Sequence, residues 1–195
     1  MELSPLARER LAKIGDLSPE EKGKIKQSGE MDSLLSEYFK GALSPEGLWK
    51  KLKVLKEQSG ESIVGGAQGK LIDTLRSQMS QADFEQRRSA ILAIETIKAE
   101  GKYSLLEAIL NSIVALRQKY TQTREQAYKQ LKAGMEKQLQ AAAQEALKQG
   151  MQIDMESSVE ANIKNSPQWK GFITEHEKTF EEMFNGYIAQ LRELI

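Results

Sequence analysis

No cysteine occurs anywhere in the 195 residues. That absence excludes disulfides, cysteine-held iron–sulfur clusters, thiolate zinc sites and thiol nucleophiles together. A single histidine, His176, excludes the two-histidine metal motifs. It also excludes a di-iron carboxylate centre within one chain, which needs Glu-x-x-His from two helices, because the residue three before His176 is Ile173. No cofactor and no metal are therefore expected. The longest aliphatic run, Ala90-Ile91-Leu92-Ala93-Ile94, is five residues, against the roughly 20 that span a bilayer. Net charge is lacking too: 28 Lys and Arg balance 28 Asp and Glu. The opening Met1-Glu2-Leu3-Ser4-Pro5 carries neither a basic nor an apolar signal segment, and neither end reads as a lipidation motif. A soluble, cytoplasmic protein without transmembrane insertion is the expectation.

What is present speaks of helices. The hydrophobic fraction is 39% and the charged fraction 29%, enough apolar material for a core. The four prolines each follow a serine, three of them within Leu-Ser-Pro. Serine accepts a hydrogen bond from a first-turn N–H, and proline at the first helical position gives up a donor that had no helical partner. Ser18 and Glu21 have capping-box spacing, with Leu17 placed as a hydrophobic staple. Helices are thus predicted over about 5–13, 19–40 and 45–58, the second with a break near Gln27-Ser28-Gly29. The glycine-bearing stretch 60–69 reads as a flexible junction or the first turns of a poor helix. Gly69-Lys70 fails as a phosphate loop, since Val64 stands where glycine is required and Leu71 where Ser or Thr would hold magnesium.

Asp83 with Gln86 predicts a cap for a buried helix running to about Ala99, and Ser104 with Glu107 predicts the next. Beyond it, Leu106, Ile109, Ile113, Leu116 and Tyr120 follow a three-four rhythm. With no proline before residue 167, one long helix over about 105–149 is expected, some 68 Å at 1.5 Å per residue. Thr121-Gln122-Thr123 and Gly134 are the places where it could turn. Ala127, Leu131, Met135, Leu139, Ala142 and Ala146 continue it as a narrow, coiled-coil-like seam. Met151–Met155 alternates like a strand without a partner, so a helix near 155–164 is favoured. Ser166-Pro167 begins the last helix, whose broad apolar face includes Trp169, Phe172, Phe180, Phe184 and Tyr187. The fold class is all-α: a helical bundle with one long helix and an amphipathic aromatic C-terminal helix. A short-helix region over 1–101 is expected to pack with the 102–195 region as a single elongated domain.

Charge is distributed unevenly. Residues 117–150 hold seven basic and three acidic side chains, and residues 151–195 hold four basic and eight acidic. Basic and acidic stretches of this kind complement each other within or between chains. His176, on the aromatic face beside Glu175 and Glu177, reads as a structural histidine, since no nucleophile or metal motif accompanies it. Glu95 lies among Ile91, Leu92, Ile94 and Ile97, which predicts burial and an ion pair with Arg88, or one made by Arg87 or Arg88 to another helix. Trp49-Lys50-Lys51-Leu52-Lys53-Val54-Leu55-Lys56 has lysines for phosphates but no Arg, Asn or Gln to read bases, and apolar anchors that could meet an anionic membrane.

These features favour a non-enzymatic scaffold, adaptor or regulatory subunit that engages a protein partner, or a second copy, through helix–helix contacts. The association candidates are Trp169, Phe172, Phe180, Phe184 and Tyr187. The alternatives are a helical bundle that binds a small molecule and, further off, a module for nucleic acid or a membrane surface. No nucleic-acid partner is expected.

Overall fold

In a computed structural model, which describes residues 18–148 and 155–195, the described residues form seven α-helices and no strand. The fold is all-α. The expected helix over 5–13, the last residue of the expected 105–149 helix and the start of the strand-like segment at Met151 lie outside the described residues. No helix among the described residues is long and apolar enough to cross a membrane.

Ser-Pro pairs start three helices as their cap chemistry predicts. Ser18 and Glu21 cap α1 (Pro19–Phe39) reciprocally, with Glu21 N–H to Ser18 Oγ at 3.2 Å and Ser18 N–H to Glu21 at 2.8 Å. Ser44 accepts from Gly47 N–H at 3.1 Å to open α2 (Pro45–Ser59). The predicted break in α1 does not occur. Gly29 costs about 1 kcal/mol of helix propensity, and the burial of Met31, Leu35 and Tyr38 beyond it outweighs that. The helix ends where Gly41 turns to φ 73°, with Ala42 N–H on Glu37 O and Gly41 N–H on Tyr38 O. That is the Schellman pattern, which favours a residue without a Cβ at this position.

Of the two readings of the 60–69 stretch, the structure has the first turns of a helix and not a flexible junction. The stretch opens α3 (Ser62–Asp73), in which Ile63, Val64, Ala67, Gln68, Leu71 and Ile72 are buried. Packing decides this helix against the low propensity of its glycines. The start of α4 (Gln81–Glu95) is corrected as well. Its N-cap is Ser80, not Asp83: Asp83 N–H donates to Ser80 Oγ at 3.0 Å, and the Ser80 hydroxyl donates to the Asp83 carboxylate at 2.6 Å. Both residues are good caps, and only the chain geometry chooses. The helix also stops at Glu95 rather than Ala99.

The expected long helix is continuous. α5 (Tyr103–Lys148) has 46 residues and crosses Thr121–Thr123 and Gly134 without turning. Thr121 Oγ1 satisfies itself on Arg117 O at 3.2 Å. The predicted Ser104–Glu107 box is absent, because Lys102 O accepts from Leu105 and Leu106 N–H and leaves Ser104 inside the first turn. The buried members of its rhythm are Leu106, Leu110, Ile113 and Leu116, so Leu110 takes the place expected of Ile109, which is half-buried. α6 (Met155–Asn165) follows, then α7 (Pro167–Glu193), with Trp169 N–H on Ser166 Oγ at 3.1 Å.

Two compact units result. The first comprises the described residues through Glu107 together with Leu191–Ile195. In it α2 packs on α1, α3 and α4, and α3 packs on α1 and α4. Tyr38 is wholly buried there, its hydroxyl donating to Gln86 O while the Gln86 amide donates to Tyr38 O at 3.1 Å. Burial pushes the phenol up to about 12. The second unit is Ala108–Gln190.

Candidate functional site

Glu95 is buried as expected, at 1% exposure, but not with the expected partner. Its carboxylate takes the Lys98 ammonium at 2.9 Å, the Gln68 amide at 2.7 Å and the Lys102 N–H at 2.5 Å. Arg88 instead reaches Glu85, three residues back on its own helix, at 3.1 Å. Seven residues is two turns, too far for a short carboxylate when three nearer donors compete. Burial alone would raise the Glu95 carboxyl, yet the Lys102 N–H, Gln68 and Lys98 together hold it below the ordinary carboxylate range. Gln68, which sequence reasoning passed over, also donates to Ile91 O at 3.1 Å. Gly101 completes the lock, since a Cβ there would stand 3.3 Å from Glu95 O. This constellation fixes the loop between α4 and α5 in place. It is architecture, with every charge answered.

The Trp49–Lys56 segment has the same character. Leu48, Leu52 and Leu55, the anchors a membrane would need, are in the core. Trp49 donates to Thr96 Oγ1 at 2.9 Å, and Lys53 lies 5.3 Å from the centre of its ring. Lys50 pairs with Glu46, Lys51 with Glu37 and Lys56 with Glu61. The hydrogen bond from Lys56 holds Glu61 below the ordinary carboxylate range, helped by Ala99 N–H.

The second unit is built on rings. Tyr128 of α5 meets Trp169 of α7 edge to face at 5.6 Å. Trp169 stacks on Phe172 at 5.6 Å, Phe172 on His176 at 5.1 Å, and His176 on Tyr120 at 4.6 Å with planes 9° apart. Tyr120 then stacks on Phe180 at 4.3 Å, and Phe180 lies 6.3 Å from Phe184. Rising numbers on α5 meet falling numbers on α7, so the two helices run antiparallel here. Each such contact contributes about 0.5–1.5 kcal/mol beyond burial. His176 is half-buried, and its Nε2–H donates to Tyr120 O at 3.1 Å. That is a bridging role between two helices.

Of the five association candidates, Phe180 and Phe184 are buried. Trp169, Phe172 and Tyr187 are half-buried, and Met183 beside them is 47% exposed. Trp169 is covered in part, by Phe172 stacked on it and Tyr128 meeting it edge to face. A groove of about 470 Å³ opens there, lined by Tyr120, Arg124, Tyr128, Lys129, Lys164 and Trp169 together with Thr121 and Glu125. Lys164 has a long exposed pairing with Glu160 at 3.8 Å. Among the described residues, Arg124 and Lys129 have no ion-pair partner. The sequence carried one signal for this groove, the four-residue spacing of Tyr120, Arg124 and Tyr128. Their pairing with Trp169 depends on the register between helices.

No curated protein and no solved structure matches the chain. A family model does match, over residues 49–195, about three quarters of the length. The chain therefore belongs to the family of unknown function DUF6657.

Proposed function

We propose that this is a non-enzymatic helical adaptor, or regulatory subunit, that binds the acidic face of a partner protein's helix along the distal half of α5. One observation carries the reading. Leu106, Leu110, Ile113 and Leu116 are buried, yet from Arg117 to Gln138 no residue of the same helix is. Ala127, Leu131 and Met135 instead form a half-exposed seam at four-residue spacing, the pattern by which one helix receives another. Seven basic against three acidic side chains over 117–150 favour an acidic partner.

A photo-crosslinking residue at position 131, introduced in the native cell, tests this. A discrete protein adduct, lost when Met135 is replaced by Asp and absent from a probe at Lys26, is the expected result. Adducts of equal pattern from positions 131 and 26 would overturn the reading.

A further inference from the structure

We propose that the groove between Tyr128 and Trp169 is a binding site for a small organic anion carrying a flat aromatic ring. This goes beyond the adaptor reading and does not depend on it. Its volume of about 470 Å³ lies within the usual range for small-molecule sites, roughly 300–1,000 Å³. Its chemistry is uneven in a telling way. Tyr120, Tyr128 and Trp169 supply ring faces and edges, while three cations, Arg124, Lys129 and Lys164, face a single lining carboxylate, Glu125.

The apolar groove of the first unit, lined by Leu34, Val54 and Leu55, is framed by Lys50 and Lys51. There both lysines are answered, by Glu46 at 2.6 Å and Glu37 at 3.1 Å. Arg124 and Lys129 have no ion-pair partner among the described residues, Glu125 lying near them but forming no ion pair, so an incoming anion meets charge that is not already spent on the fold.

The ring platform is also held in advance. Trp169 is fixed at the first turn of α7 by the bond from its N–H to Ser166 Oγ, and from two sides by Phe172 and Tyr128. A preorganised aromatic face loses little freedom when a ligand ring stacks on it. Arg124 lies one helical turn from both Tyr120 and Tyr128. Its planar guanidinium suits bidentate pairing with a carboxylate, sulfonate or phosphate.

The test uses the full chain with both tryptophans replaced biosynthetically by 5-fluorotryptophan. Trp49 in the first unit is the internal control, and Trp49→Phe assigns the two fluorine signals. Three probes share one ring and differ in charge: 1-naphthoate, 1-naphthalenemethanol and 1-naphthylmethylamine. Naphthoate should shift the Trp169 signal alone and saturate at about 1 mM or below, with the alcohol and the amine at least about tenfold weaker. Arg124→Ala with Lys129→Ala should weaken naphthoate about tenfold and leave the Trp49 signal in place, while the charge-keeping pair Arg124→Lys and Lys129→Arg should retain most of the binding. Equal shifts from all three probes, no loss in the alanine pair, or no saturable shift at Trp169 would each overturn the proposal. Failure of the crosslinking experiment would leave this titration unchanged, so the two readings are separable.

Discussion

The two units are held together by different physics. In the first, polar groups at the ends of helices are answered one by one. Ser18, Ser44 and Ser80 cap, Glu95 gathers three donors, and the lysines of α2 each find a carboxylate or a ring. In the second, a row of seven rings holds α5 against α7, while Arg124 and Lys129 of α5 have no ion-pair partner among the described residues. A region whose charges are mostly paired, with only isolated buried atoms such as Gln68 Oε1 left without a partner, has completed most of its interactions in folding. One that keeps half-exposed rings and unanswered charge has interactions left to make.

The largest stability loss should come from the first unit's lock. Glu95→Ala leaves the Lys102 N–H, the Gln68 amide and the Lys98 ammonium without their acceptor, which should cost about 3–5 kcal/mol in urea unfolding. Glu95→Gln should cost less, and its deficit should depend on pH. The native carboxyl titrates below the ordinary range, so its contribution is fully present above the unfolded value of about 4.3 and fades as pH falls through the native one. The gap between wild type and Glu95→Gln should therefore close on acidification below pH 4.

Phe180→Ala comes next, removing a buried ring stacked on Tyr120, at about 3–4 kcal/mol. Equal losses for Phe180→Ala and Trp169→Ala would erase the distinction between the buried and the open ends of the row. Tyr38→Phe should cost about 1 kcal/mol, the worth of one hydrogen bond. His176→Phe should be the mildest, within about 1 kcal/mol, since it keeps the stack and loses only the bond to Tyr120 O. A loss beyond about 3 kcal/mol would show that the bridge to α5, rather than the stack, carries this position.

Local chemistry made much of this legible. Ser18, Ser44 and Ser166 could be placed because proline at the next position leaves few alternatives, and the length of α5 followed from the absence of proline. Burial of Glu95 was readable from the isoleucines around it. Its partners were not, because Gln68 and Lys102 arrive from other elements. α3 was legible only as one of two alternatives for a related reason: three glycines argue against a helix locally, and the burial of Val64, Ala67 and Leu71 argues for it globally. Ser80 and Asp83 show the limit of cap rules, since each residue satisfies them and the two bond to each other. The aromatic face of α7 was visible as a pattern, but which rings close inward and which stay open depends on where Tyr120 and Tyr128 fall across the helix pair.

The half-exposed seam of Ala127, Leu131 and Met135 on α5, unlike Tyr120 and Tyr128 on the same helix, serves binding rather than folding. Urea unfolding of Leu131→Asp with Met135→Asp, set beside Leu110→Ala, tests it most directly. A change within about 1 kcal/mol is expected for the double variant, as for substitutions outside the core, against about 2–5 kcal/mol for the buried leucine. A loss of more than about 3 kcal/mol in the double variant would instead place the seam in the folding core.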